Sequence, residues 1–266
     1  MLGFGLVAGS LQGESLQLEA AADYAMGSGG HAFVVARDGR ILVERYARGL
    51  SRDLPHRIYS GTKGLWCVAA ACAVQDGLLR LDEPASATLH EWVGTPKESI
   101  TVRQLLNLTA GLEPAPILHG EKLQDRNGYA LERPLLSQAG SQFHYGPSPL
   151  QAYIELLARK LARRGSDPVT YLENRLLAPL GIPLRRVLTD ARQNPLAATG
   201  FMMTAREWLK FGNFILRDGV GGPIPILSVA RKTELRECFR GSTANPMFGL
   251  GFWLNPNPGP REIAIE

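Results

Sequence analysis

The chain has 266 residues, enough for one large domain or two lobes around a sizeable core. Its 29 basic and 25 acidic side chains leave a net charge of +4, too mild and too scattered to indicate a nucleic-acid partner. Apolar content of 45% and charged content of 20% are ordinary for a globular protein, and no stretch is apolar for long enough to span a membrane.

The start, Met1 to Gly9, is apolar but lacks a basic region before it. It reads either as the remnant of a signal peptide or as a ragged beginning, so the compartment stays undecided. After a small-residue loop at 27–30, two strands are signalled, Ala32–Ala36 and Ile41–Tyr46. Asp38-Gly39 between β-branched runs predicts a hairpin, and an isolated hairpin needs a larger sheet to join.

The stretch from Ile58 to Gly77 predicts a buried helix with a serine in its first turn and a lysine three residues on. Residues three apart share a helix face, so the Ser60 hydroxyl and the Lys63 ammonium can meet. A hydroxyl becomes a good nucleophile when a base takes its proton, and a desolvated lysine can be that base. Leu65, Trp66, Ala69 and Ala70 supply apolar surroundings, and Asp76-Gly77 supplies the stop. The competing reading is a surface helix start with Ser60 as N-cap and Lys63 solvated. The almost wholly apolar run behind Ser60 argues against it.

Pro84 ends a turn-like exit, and Thr101 with Gln104 predicts a capped helix that Gly111 would close. Residues 113–144 read as a long loop. Pro149 opens an amphipathic helix with Leu150, Tyr153, Ile154, Leu157 and Leu161 on one stripe. Further helices are predicted at 168–177 and after Thr204, where Glu207 completes a capping box. Phe248 to Leu254 reads as a strand, 255–260 as a turn, and 261–266 as the beginning of another strand. Three cysteines (Cys67, Cys72, Cys238) and five histidines show neither a disulfide framework nor metal-ligand spacing.

Taken together, these pieces resemble the serine β-lactamase and penicillin-binding superfamily, nearest the class C β-lactamase and family VIII carboxylesterase branch. Ser60-Gly61-Thr62-Lys63 matches the Ser-x-x-Lys nucleophile motif. Leu105-Leu106-Asn107-Leu108-Thr109-Ala110-Gly111-Leu112 is similar to a second family stretch, with alanine in place of a serine. Ala178 to Ile182, Met203 to Trp208 and Phe248 to Phe252 follow in the family's order, from about residue 30 onward. The resemblance assigns the second catalytic element, Tyr-x-Asn, to Tyr145-Gly146-Pro147, where proline replaces the asparagine. Losing that amide makes efficient penicillin hydrolysis less expected and leaves ester or small-amide cleavage open.

The third family element, a Lys/His-Thr-Gly or Trp-Gly-Gly strand, is not in the sequence. This reads as a truncation before that motif, or else as a real loss. One oxyanion-hole donor is typically worth about 10²–10³ in rate.

The resemblance implies an α/β fold of the α+β type, with an antiparallel sheet flanked by helices and an all-helical lobe. It implies one domain with its α/β lobe at about 1–80 and 205–266, its helical lobe at about 81–204, and Ser60 in the cleft. The implied activity is that of a serine hydrolase acting through an acyl-enzyme on Ser60, with Lys63 and Tyr145 moving the proton. Its partner would be a small-molecule ester, amide or β-lactam, with no metal or cofactor called for. The alternatives are a penicillin-binding-like or degenerate protein without efficient turnover, and a helical interaction module without such chemistry. Oligomeric state is not legible.

Overall fold

A computed structural model describes residues 5–120, 122–217 and 232–255. In chain order it contains α1 (Gly5–Gly27), β1 (Ala32–Arg37), β2 (Arg40–Tyr46), α2 (Gly61–Gln75) and α3 (Val102–Leu106). There follow α4 (Arg126–Leu131), α5 (Ser148–Ala162), α6 (Pro168–Leu172), α7 (Ala205–Leu216) and α8 (Lys232–Glu237). The fold is α+β: antiparallel strands with helices against them, and a larger helical part. It divides into two compact units, residues through 56 together with 202–216, and residues 57–201 together with those from 217 on.

In the first unit β1 and β2 form the expected hairpin, Arg37 pairing with Arg40 across the two-residue loop. Asp38 and Gly39 both take positive φ, 52° and 80°, as a tight turn matched to the strand twist requires. Val43 and Ala22 are buried in this unit, as are Phe211 and Phe214 of α7. Thr204 and Glu207 cap α7 reciprocally, with N–H···O distances of 3.2 and 2.9 Å. The Arg206 guanidinium grips Glu44 at 2.7 and 2.6 Å and is the main reason its carboxyl is held at about 2. The helix α1 was not expected from the sequence, whose small and polar residues here carry little helical periodicity.

The second unit is built around α2. Twelve of its fifteen residues, Thr62 through Ala73, are buried. Such burial on every side suits the alanine-rich, largely apolar run that the sequence supplies. Its C-terminal Asp76 accepts bonds from Arg175 (2.8 Å at both oxygens) and from the Tyr171 hydroxyl at 2.7 Å. Amphipathic α5 buries Leu150, Tyr153, Ile154 and Leu157, as its stripe predicts. Cys67, Cys72 and Cys238 are free and buried, behaving as small apolar groups.

Three expectations need correction. The helix begun at Thr101 does form with its capping box, but it ends at Leu106 rather than at Gly111. Asn107 Oδ1 takes the Thr109 backbone N–H and hydroxyl, and Leu108 turns left-handed at φ 60°, so the chain leaves the helix early. The 113–144 loop contains α4, capped by Asp125 and anchored by the fully buried Arg126, whose Nη1 donates to the Leu118 carbonyl at 2.7 Å. Phe248–Leu254 is a tight turn closed by a single bridge between Phe248 and Trp253, not a strand, because Gly251 reverses the chain at φ 80°. The turn and strand expected at 256–266 lie outside the described residues.

Candidate active site

Ser60 sits at the position before α2 with helical dihedrals (φ −62°, ψ −15°), and its hydroxyl makes no capping bond. The hydroxyl therefore stays free of its own helix's N–H groups. The residue before it, Tyr59, is held at φ 46°, an uncommon and costly conformation for an aromatic residue. Segment 199–201 laces this corner down. Ile58 N–H donates to the Phe201 carbonyl at 3.1 Å, and Phe201 N–H reaches the Thr62 hydroxyl at 3.3 Å. The Arg57 guanidinium donates to the Thr199 carbonyl at 2.9 Å. Trp66 packs edge-on against Phe201 (5.5 Å, 82°) beneath the corner.

Lys63 lies one helical turn on and is 2% exposed. Its Nζ donates to Ser60 Oγ at 3.0 Å and to the Ala198 carbonyl at 3.2 Å. Burial lowers its pKa from the usual 10.5, against the weaker opposing pull of Tyr145. Desolvation outweighs that pull.

Tyr145 donates its hydroxyl to Ser60 Oγ at 3.1 Å from the other side, and its ring lies 5.0 Å from Lys63 Nζ. It is brought there by a close approach behind it. A Cβ at Gly146 would fall 2.4–2.7 Å from Pro114, so only glycine lets the Tyr145 backbone lie against that proline. Pro147 then leads into α5 and presents no side-chain amide, as its sequence position implies.

Of the residues proposed from sequence, Ser60, Lys63 and Tyr145 thus converge on one oxygen. The sequence signals neither the Ala198 carbonyl that holds Lys63 nor the packing of rings on Tyr145. Trp253 stacks on it at 5.8 Å and 25°, and Phe143 and Phe248 meet it at 6.2 and 6.1 Å. The Phe248 to Leu254 stretch carries two of these rings, but its pattern reads as a strand rather than as a wall of the site. A hydroxyl between a buried amine and a phenol has the parts for acyl transfer. A family model described as Beta-lactamase matches residues 17–264.

The chain belongs to the beta-lactamase family. Membership places it among hydrolases, and known structures agree on the fold. A protein from Bacteroides dorei, provisionally described as a beta-lactamase, superposes with a TM-score of 0.71 at 21% identity, over 90% of this chain and 78% of that one. EstCE1, a hydrolase with promiscuous acyltransferase activity, gives 0.68 at 21%, over 91% and 83%. A penicillin-binding protein homologue from Pyrococcus abyssi, described as octameric, gives 0.68 at 15%, over 91% of this chain but 65% of its own longer one. Curated proteins provide no match to this beta-lactamase family member. Among its described residues no group of His, Cys, Asp or Glu is placed to hold a metal, and no helix is long and apolar enough to cross a membrane.

Proposed function

We propose that this protein is a serine hydrolase that cleaves small-molecule esters or amides, β-lactams among the candidates, through an acyl-enzyme on Ser60. The observation that carries this reading is the contact of Ser60 Oγ with both Lys63 Nζ at 3.0 Å and Tyr145 OH at 3.1 Å. With its pKa lowered by burial, Lys63 gains a larger fraction of free amine, to which Oγ–H can pass its proton along the same short contact. As Ser60 Oγ bonds to the substrate carbonyl carbon, that proton moves to the amine and the carbonyl electrons move to oxygen. Collapse expels the leaving group, which takes a proton relayed through Tyr145. Water then attacks the acyl-enzyme, giving up a proton to the same pair and releasing the acid with Ser60 restored. Charge developing at Ser60 lies at the amino end of α2, where the helix dipole favours it. The names of fold neighbours support the chemistry: one is described as a hydrolase with acyltransferase activity.

The test is hydrolysis of 4-nitrophenyl butyrate and nitrocefin, with mass spectrometry of the trapped protein. Turnover with a Ser60-borne acyl adduct supports the reading. A stable Ser60 adduct without turnover would move the protein to a penicillin-binding-like role, and no adduct at all would sink it.

A further inference from the structure

The turn that ends in Trp253 is seated on the nucleophile helix by a glycine. At Gly251 an added Cβ would lie 2.8 Å from the Lys63 carbonyl oxygen and 3.0 Å from its carbon, so only a bare backbone fits there. Backbone bonds pin the turn: Gly249 N–H to the Phe252 carbonyl at 2.9 Å, Leu254 N–H to Met247 at 2.8 Å, and Leu250 N–H to Cys238 at 2.8 Å. The indole it carries stacks on Tyr145 and is met edge-on by Phe143 (6.0 Å, 70°) and Phe248 (5.0 Å, 79°). Three rings therefore fix the indole, yet Trp253 stays 57% exposed while Phe248 is buried.

A single exposed apolar side chain is ordinary. This one is not isolated. Tyr145, whose hydroxyl touches Ser60 Oγ, and Tyr59, next to Ser60 in the chain, are also exposed. An ordered, half-open indole one stacked ring away from a nucleophile offers a flat apolar surface with little rotamer entropy left to lose.

We propose that Trp253 is a specificity-determining residue whose open face receives an aromatic group carried beside the scissile carbonyl, making aryl-bearing esters and amides the preferred substrate class. This rests on the acyl-transfer reading of Ser60. The neighbours that hold the indole are rings, so selection acts through apolar area and π-stacking.

The experiment compares kcat/KM for ethyl phenylacetate and ethyl acetate, followed by proton release, in wild type, Trp253→Ala and Trp253→Phe. The preference for the aryl ester should fall about tenfold in Trp253→Ala and stay within about threefold in Trp253→Phe. An equal loss on both esters would overturn the proposal, reducing Trp253 to a prop for Tyr145. A second arm measures phenylacetamide binding by NMR titration of the Ser60→Ala protein, with and without Trp253→Ala. Binding that disappears with Trp253 supports the inference even if wild type turns over neither ester, an outcome that would count against the hydrolase reading alone. Binding indifferent to Trp253 overturns the inference, whatever the turnover.

Discussion

At its amino end, α2 buries the Lys63 ammonium against a hydroxyl, a carbonyl and the face of a ring. At its carboxyl end, Asp76 is held by a guanidinium and a phenol. Burial acts on both groups against the charged form. At Asp76 the bonds from Arg175 and Tyr171 outweigh it, and the carboxyl stays below its usual 3.8. At Lys63 burial outweighs the pull of Tyr145, and the pKa falls. A half-buried carboxylate paired with a guanidinium is locked in one protonation state and serves architecture, whereas a buried amine held by neutral groups is left able to give and take a proton. The same helix does both within four turns.

This contrast can be broken from either end. The largest effect belongs to Ser60→Ala, which should lower ester turnover by about 10⁴ or more, read as initial rate on 4-nitrophenyl butyrate. Lys63→Met should cost about 10²–10⁴ in kcat/KM. The sharper prediction is that it leaves the fold no less stable at neutral pH, and up to about 2 kcal/mol more so, because an unpaired buried cation is removed. Lys63→Arg should not rescue the rate, since a guanidinium stays protonated. Tyr145→Phe should lower kcat/KM by about 10–10³ with little change in the urea midpoint. A normal rate in that variant would remove the phenol from proton transfer.

Changes at the other end of α2 should show the reverse pattern. Arg175→Ala should destabilise the protein by about 1–3 kcal/mol in urea melts, while activity per folded molecule stays within about threefold. The pH dependence has a definite sign. Asp76 has a folded pKa below its unfolded value, so its contribution is present above about pH 4 and is lost as pH falls through the folded value. Wild type should therefore lose stability on acidification below about pH 4 more steeply than Asp76→Asn does. For Lys63 the folded pKa is the lower one, so the penalty for burying the cation shrinks as pH rises toward 10.5.

What was legible in the sequence was local. Asp38-Gly39 must adopt positive φ at both residues, and the two capping boxes, Thr101 with Gln104 and Thr204 with Glu207, each need only residues three apart. The Ser60–Lys63 pair is also one helical turn, so helix geometry alone brought it together. Tyr145 lies 85 positions from Ser60 and was placed by family resemblance; the chain's own signal for it is the close approach of Gly146 to Pro114, invisible without coordinates. The Ala198 carbonyl could not be read at all, because a backbone acceptor leaves no residue type to recognise. Phe248–Leu254 misled for a physical reason: alternating apolar residues and glycines fit a strand as well as a turn, and the contact of Gly251 with the Lys63 backbone decides it.

The central claim is that Lys63 is a desolvated amine able to act as a base toward Ser60. It is tested most directly by titrating the Lys63 side chain, following its ¹³Cε chemical shift in lysine-labelled protein and assigning it by its loss in Lys63→Arg. The expected midpoint lies below 10.5, with fluorophosphonate labelling of Ser60 rising through the same pH range. A midpoint at or above 10.5, or labelling that does not follow it, would contradict the account.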